Sequence, residues 1–334
     1  MALSGVRSNN QTPSDPARDS AMSAGALVIA PNRIGEAVMA QPLLALLRQR
    51  DPSLLIDVLA SPRIAPVFRS MREVHSVIGA PAANVAGRAA PRWRLGWRLR
   101  ARNYQRAYIL SESPGWPLAA WLAGIPERIG HCGAARRFLL NRLHEPETGG
   151  ERPLVEHHAR LAFAPGEPLP GSIPAPRLLR RAELERAVQA RFGLGDSVPL
   201  LVLSPGSAGA PARRWPTRHF ASLANLLADE WPEAELVVLG SSRERSIATE
   251  IAALSGLPVR NLAGETGVEE AIAIISQAAG VVSGESALMH VAAAFGRPQV
   301  AVFGATDPRH AGPRSPRARV EWLHLRCSPC FARE

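Results

Sequence analysis

VVSGESALMHVAAAFGRPQVAVFG, residues 281–304, opens as an apolar β-branched run, breaks at Ser283-Gly284, continues as an apolar helix and ends in a second strand closed by Gly304. Strand, turn, helix and strand in that order form the repeating piece of a parallel sheet covered by helices. Glu285, Ser286 and His290 stand where the helix begins, so a carboxylate, a hydroxyl and an imidazole gather at a strand exit. In open α/β sheets, ligands bind at such exits.

The alternation extends to both sides. ALVIA (26–30), LLIDVLA (54–60), VHSVI (74–78) and RAYIL (106–110) read as strands, with helical segments between them such as one helix over 37–50. GEPLPGSIPAP (166–176) has the proline and glycine content of a linker. Beyond it come PLLVLS (199–204), a helix near 217–230, ELVVLG (235–240), helices near 243–254 and 267–278, and GVVSG (280–284), which leads into the opening stretch. The pattern predicts an α/β protein with two Rossmann-like, doubly wound domains facing one cleft. The expected organisation is a disordered tail over 1–25, a first domain over 26–165, a linker over 166–176 and a second domain over 177–334.

With 334 residues, 46% of them hydrophobic, the chain can bury two sizeable cores. It has no apolar run near the roughly 20 residues that span a bilayer. Residues 1–25 carry the Ser, Asn, Asp and Pro content of a disordered tail and lack a signal peptide's apolar core, so a cytosolic protein is expected. Three cysteines, Cys132, Cys327 and Cys330, are too few and too odd for a disulfide framework, and CSPC has no second motif to complete a zinc site. The net charge is +10, and all 39 basic residues are arginines. Arginine favours bidentate contacts with phosphate and carboxylate, and the positive field draws acidic ligands and anionic membrane surfaces. PRWRLGWRLRARNYQR (91–106) concentrates that charge and interleaves it with Trp93, Trp97 and Tyr104. It reads as an amphipathic helix with a solvated basic face; nucleic-acid binding and contact with lipid headgroups are the alternatives.

Four strand exits carry chemistry-bearing residues: APNRIGEAVMAQP (30–42), SPGSAGAPARRWP (204–216), LGSSRER (239–245) and SGESALMH (283–290). None holds a G-x-G-x-x-G fingerprint or a P-loop, which argues against dinucleotide dehydrogenases and P-loop kinases. A helix N-terminus with free amides still suits a pyrophosphate.

NLAGETGVEEAIAIISQAAGVVSGESALMHVAAAFGRPQVAVFG, with PGSAGAPARRWP upstream and GEAVMAQPL near the start, resembles the ADP-heptose:lipopolysaccharide heptosyltransferases of glycosyltransferase family 9, most closely those of type II. The similarity runs in order from about Ala26 to Glu334. It implies a glycosyltransferase B fold, an inverting reaction that needs no metal or cofactor, an ADP-heptose donor held by the second domain and an inner-core lipopolysaccharide acceptor held by the first. It further implies a monomer without nucleic-acid partners, cytoplasmic and peripheral to the inner membrane. The chain halts at CSPCFARE, and a closing C-terminal helix of the family is expected to be absent.

The resemblance also implies roles. Glu36, in Gly35-Glu36 where the family has Gly-Asp, would be the catalytic base. Glu285 stands where the family has aspartate, Ser286 at a serine or threonine and Ala287 at a glycine, while Leu288, Met289 and His290 match. Arg213 replaces a phosphate-binding lysine, and Arg214, Trp215 and Pro216 match. Together with Ser207 and a ribose-contacting Glu244, these residues would hold the donor. Arg33, Ser113 and Arg136 would meet the acceptor. Ala208 stands where the family's loop carries glutamate. His157 and His158, adjacent on a helix, point apart and are assigned no chemistry. Two other classes stay open: a family member that binds ADP-sugar or lipopolysaccharide without turnover or uses another sugar, and a nucleic-acid binder.

Overall fold

The computed structural model describes residues 25–80, 90–113, 115–133, 136–145, 153–195, 197–207 and 211–332, without the side chains of 90–93. The expected tail up to residue 24 and Ala208 lie outside the described residues.

The first sheet contains β1 (Ala26–Ile29), β2 (Ile56–Ala60), β3 (Val74–Gly79), β4 (Arg106–Ile109), β5 (Glu127–His131) and β6 (Arg142–His144), in the order β3-β2-β1-β4-β5-β6. Around it lie α1 (Ile34–Met39), α2 (Gln41–Arg50), α3 (Ala65–Arg69), α4 (Ala90–Arg100), α5 (Gly115–Leu122) and α6 (Leu154–Ala159). The second sheet contains β7 (Leu200–Ser204), β8 (Glu235–Val238), β9 (Arg260–Asn261), β10 (Gly280–Ser283), β11 (Gln299–Phe303) and β12 (Ala318–Trp322), in the order β12-β11-β10-β7-β8-β9. Its helices are α7 (Ala182–Phe192), α8 (Thr217–Glu230), α9 (Arg245–Ser255), α10 (Val268–Gln277), α11 (Ala287–Ala294) and α12 (Pro308–Ala311). Every pairing is parallel, and counted from each sheet's own first strand both orders read 3-2-1-4-5-6, the doubly wound arrangement.

Helices cover both faces, so the central strands are apolar without alternation; all four residues of β1 are buried. The helix expected over 37–50 is two helices. Pro42 has no N–H to give the carbonyl four residues back, so the chain turns at Ala40 and restarts with proline in the first turn of α2. The basic stretch 91–106 also divides. Its helix stops at Arg100, Asn103 takes a left-handed φ of 51°, and Tyr104 turns inward to donate to Asp57 Oδ2 at 2.5 Å. Asp57 is buried on β2 and also accepts from Ser76 Oγ at 2.7 Å and Arg102 Nη1 at 2.8 Å. The end of that stretch therefore satisfies a buried carboxylate instead of presenting a basic face.

Past the 166–176 segment, residues 177–179 join the halves. Arg177 N–H donates to Gln41 Oε1, Leu178 N–H to the carbonyl of Ala294, and Leu179 N–H to that of Ser70. One apolar core runs through α1, α2 and α3 into α10 and α11, so the strand exits of the two sheets are held close. Among the described residues, no helix is long and apolar enough to cross a membrane.

Candidate functional site

The exits of β1 and β10 meet. Beyond β1 the chain enters α1 at once, which sets Glu36 in the first helical turn, where the dipole favours a carboxylate. Arg33 Nη1 lies 3.5 Å from Glu36 Oε1; the arginine side chain is 76% exposed and the glutamate only 28%. Burial is the largest influence on the Glu36 carboxyl and pushes its pKa up. Arg33 opposes this and the nearby charge of Glu112 adds to it. Glu112 belongs to the exit of β4, where Ser111 Oγ accepts from Asn32 Nδ2 at 3.5 Å and from the N–H of Ser113 at 3.4 Å.

Opposite stands the β10 exit. Ser286 caps α11 by accepting the Leu288 N–H at 3.0 Å, and its hydroxyl meets that of Ser204, at the end of β7, at 2.8 Å in a buried pair. One turn into the helix, His290 packs against Gly35. Burial lowers the pKa of this imidazole to about 4, so it is neutral near pH 7.

Glu285 reaches across to the exit of β11. Its Oε1 accepts from the N–H groups of Gly304 and Thr306 at 3.3 and 3.2 Å, and its Oε2 from Thr306 Oγ1 at 2.7 Å. The carboxylate thus latches the β10 exit to the β11 exit. Arg213 Nε is 3.9 Å from Glu285 Oε2 and is buried without a hydrogen-bond partner among the described residues. Arg214 Nε donates to the buried Ser207 Oγ at 3.3 Å. The backbone of Arg213 and Trp215 passes Gly284 so closely that a Cβ there would touch it, which brings the two turns into one wall. Beside the Ala212–Pro216 turn lies a pocket of about 440 Å³ with mostly apolar walls, among them Val282, Val300, Val302 and Leu323, and with Arg213, Arg214 and Glu321 on its lining.

The model of glycosyltransferase family 9 (heptosyltransferase) matches residues 92–334. The chain belongs to this family. It is 36% identical over 304 residues to lipopolysaccharide heptosyltransferase 2 of Escherichia coli (strain K12), covering 88% of this chain and 86% of that one. It is 33% identical over 307 residues to lipooligosaccharide heptosyltransferase 2 of Haemophilus ducreyi, covering 88% and 87%. The solved structure of E. coli ADP-heptose lipopolysaccharide heptosyltransferase II matches with a TM-score of 0.80 at 31% identity, covering 92% of this chain and 96% of that one.

In this glycosyltransferase family 9 chain most of the expected site residues fall into two groups, with Glu244 and Arg136 apart from both. Glu36, Arg33 and Ser113 gather at the exits of β1 and β4. Ser207, Arg213, Arg214, Glu285, Ser286, Ala287, Leu288 and His290 gather at those of β7 and β10. Glu244 is buried at the β8 exit, where Oε2 accepts from the N–H and Oγ of Ser241 at 2.8 and 2.6 Å, so it caps the turn that leads into α9. Arg136 is also buried, donating from Nη2 to the carbonyl of Ile109 at 3.1 Å; burial lowers its pKa and Glu112 works against that. Glu112, Ser204 and Thr306 were missed by sequence reasoning, although all three lie at strand exits, where the position rule could have found them.

His157 and His158, expected to point apart, instead meet edge to face with ring centroids 5.7 Å apart. His157 stacks on His131 with ring centroids 3.5 Å apart, and His131 Nε2 donates to the His157 carbonyl at 2.8 Å. His158 is buried with both ring nitrogens unpartnered among the described residues, and burial lowers its pKa to about 3. Among the described residues, no group of three or more His, Cys, Asp or Glu is arranged to hold a metal; Cys327 and Cys330 are exposed free thiols.

Proposed function

We propose that this protein is an inverting heptosyltransferase of type II that moves heptose from ADP-heptose to the inner core of lipopolysaccharide, with Glu36 as the base. The observation that carries the reading is the apposition of Gly35-Glu36, from the first sheet, to His290 in the turn of the second. It joins a half-buried carboxylate of raised pKa to a helix N-terminus rich in amides and hydroxyls, in a chain 36% identical to its E. coli relative.

An acceptor hydroxyl attacks the anomeric carbon as the diphosphate leaves, through an oxocarbenium-like transition state. Inversion sets base and leaving group on opposite sides of the sugar ring. Glu36 takes the hydroxyl proton, and a carboxyl raised above its ordinary value is the better acceptor. Negative charge grows on the departing diphosphate. Arg213, Ser286 and the amides that open α11 face it, giving fixed dipoles and a cation where charge develops. Neutral His290 packs beneath this turn and sets its distance from Glu36. Glu244 and Ser207 hold the nucleoside side. Arg33, Ser113 and Arg136 hold the acceptor.

The acceptor is lipid-linked on this reading, so the enzyme works at the cytoplasmic side of the inner membrane surface. Incubation with ADP-heptose and heptose-truncated lipopolysaccharide should release ADP without added metal. Hydrolysis of the donor at the same rate with and without acceptor would refute the transfer.

A further inference from the structure

We infer that the outer face of α4 and α5, with Phe138 beside it, is a docking surface for an anionic lipid bilayer. The inference rests on the reading of the acceptor as lipid-linked.

The inner faces of the two helices are already used. Leu95 and Leu99 of α4 and Trp116, Ala119 and Ala120 of α5 pack into one core against the first sheet. The helices cross so closely at Gly96 that a Cβ there would stand 2.8 Å from Leu122 Cβ. What remains outside is apolar well beyond what folding needs. Trp97 is 60% exposed, Trp121 52%, Leu118 40% and Phe138 88%. Leu118 and Trp121 share one side of α5, being three residues apart, and Trp97 follows directly on the crossing glycine. Leu140, two residues after Phe138, belongs to the same core, which places the Phe138 turn on this side of the sheet.

Charge decides what the surface meets. α4, α5 and residues 136–140 contain no carboxylate, whereas Arg98, Arg100 and Arg137 are exposed there. The Arg100 guanidinium lies 5.6 Å from the Trp97 ring centre. Tryptophan rings among arginines, whose stems lie along apolar surface while their heads reach outward, match the interface of an anionic leaflet. The exposed rings belong to a helix pair that forms an outer face, whereas single-stranded nucleic acid is held in a groove. Position fits as well. α5 begins just past Ser111–Ser113, whose turn touches Asn32 and whose Glu112 acts on Glu36, so this face adjoins the side of the cleft assigned to the acceptor.

The test is flotation of the purified full chain with vesicles of phosphatidylcholine alone or mixed with phosphatidylglycerol. Wild type should float with the mixed vesicles and not with the neutral ones. The double variant Trp97→Ser/Trp121→Ser, and separately Arg98→Gln/Arg100→Gln, should bind the mixed vesicles at least about tenfold more weakly. Each variant should keep the wild-type melting temperature, because these side chains lie outside the core. With a delipidated, soluble acceptor the variants should release ADP at the wild-type rate; with acceptor embedded in vesicles they should be slower. Equal flotation of wild type and both variants would overturn the surface, and so would binding to RNA with none to vesicles. An absence of ADP release from wild type on either acceptor would refute the enzymatic reading alone, since flotation does not depend on turnover.

Discussion

A methyl group on Gly35 would stand 2.7 Å from Cδ2 and 3.3 Å from Nε2 of His290, so the first turn of α1 and the first turn of α11 are as close as a glycine permits. The glycine that precedes the proposed base and the histidine of the proposed donor turn are thus one contact between the two sheets. On the proposed mechanism, any change in that contact alters the spacing between base and leaving group.

Gly35→Ala isolates this contact. Alanine should favour the helix by about 1 kcal/mol, while forcing a Cβ into the imidazole should cost about 1–3 kcal/mol. The single variant should therefore be slightly destabilised and turn over poorly. Combining it with His290→Ala removes the clash, so alanine at 35 should stabilise that background. Denaturant unfolding of the four proteins in the cycle measures the coupling. A stabilising Gly35→Ala in the wild-type background would mean the two residues do not touch.

The latch made by Glu285 separates from the cation of Arg213. ADP should raise the melting temperature without magnesium, and Arg213→Ala should remove that gain while leaving the melting temperature of the free protein nearly unchanged. Glu285→Ala leaves the Thr306 hydroxyl and two backbone N–H groups without their acceptor, and should cost about 1–3 kcal/mol before any ligand is added. Thermal melts with and without ADP read both. An undiminished ADP shift in Arg213→Ala would remove that residue from the donor site.

His158 should make the protein acid-labile. Its pKa falls from about 6.5 in the unfolded chain to about 3 in the fold, because burial disfavours the charged ring. The unfolded state then binds the extra proton first, so stability is complete above about pH 6.5 and is lost as pH falls toward the folded value. At pH 5 the deficit for this one group is about 2 kcal/mol. His158→Leu should flatten the decline between pH 7 and 5 as followed by urea unfolding, with His131, His144, His157 and His290, whose pKa values burial also lowers, contributing to what remains. An unchanged slope would show that His158 is not charged on unfolding.

The fold was legible where burial leaves no choice. Central strands such as 26–29 and the 200–203 part of β7 are apolar because helices cover both faces. Three of the four edge strands carry weaker patterns: β6 has three residues, β9 two, and β12 presents Arg319 and Glu321, so none of them reads as a strand from sequence, and neither does interior β5, whose ERIGH has polar residues at both ends. At the site, residue types at strand exits were legible, but their partners were not. Glu285 bonds to Thr306 across 21 positions and Asn32 to Ser111 across 79, pairings that only the sheet order brings about. The basic run at 91–106 looked like one helix because periodicity cannot reveal that Tyr104 is needed by Asp57.

The base can be tested by moving its pKa without touching it. Glu36 must be deprotonated to accept the acceptor's proton, so kcat/KM should rise with pH through its titration, at a pH above the ordinary carboxylate range because burial raises it. Glu112 adds to that rise and Arg33 opposes it. Glu112→Gln removes a negative neighbour and should move the acid limb to lower pH; Arg33→Gln removes a positive one and should move it higher. The displacement of the limb is independent of any loss in amplitude, so weakened acceptor binding cannot imitate it. Glu36→Gln should fold, bind ADP-heptose and lose about 10² to 10⁴ in turnover, whereas a carboxylate that merely greets the helix dipole would cost only about 0.3–1 kcal/mol of stability. Glu36→Asp keeps the charge but shortens its reach by one methylene, and should be slower than wild type if the contact of Gly35 with His290 sets the spacing for glutamate. ADP release measured across pH for these variants decides the matter: full turnover in Glu36→Gln, or limbs that move together in Glu112→Gln and Arg33→Gln, would place the base elsewhere in the cleft.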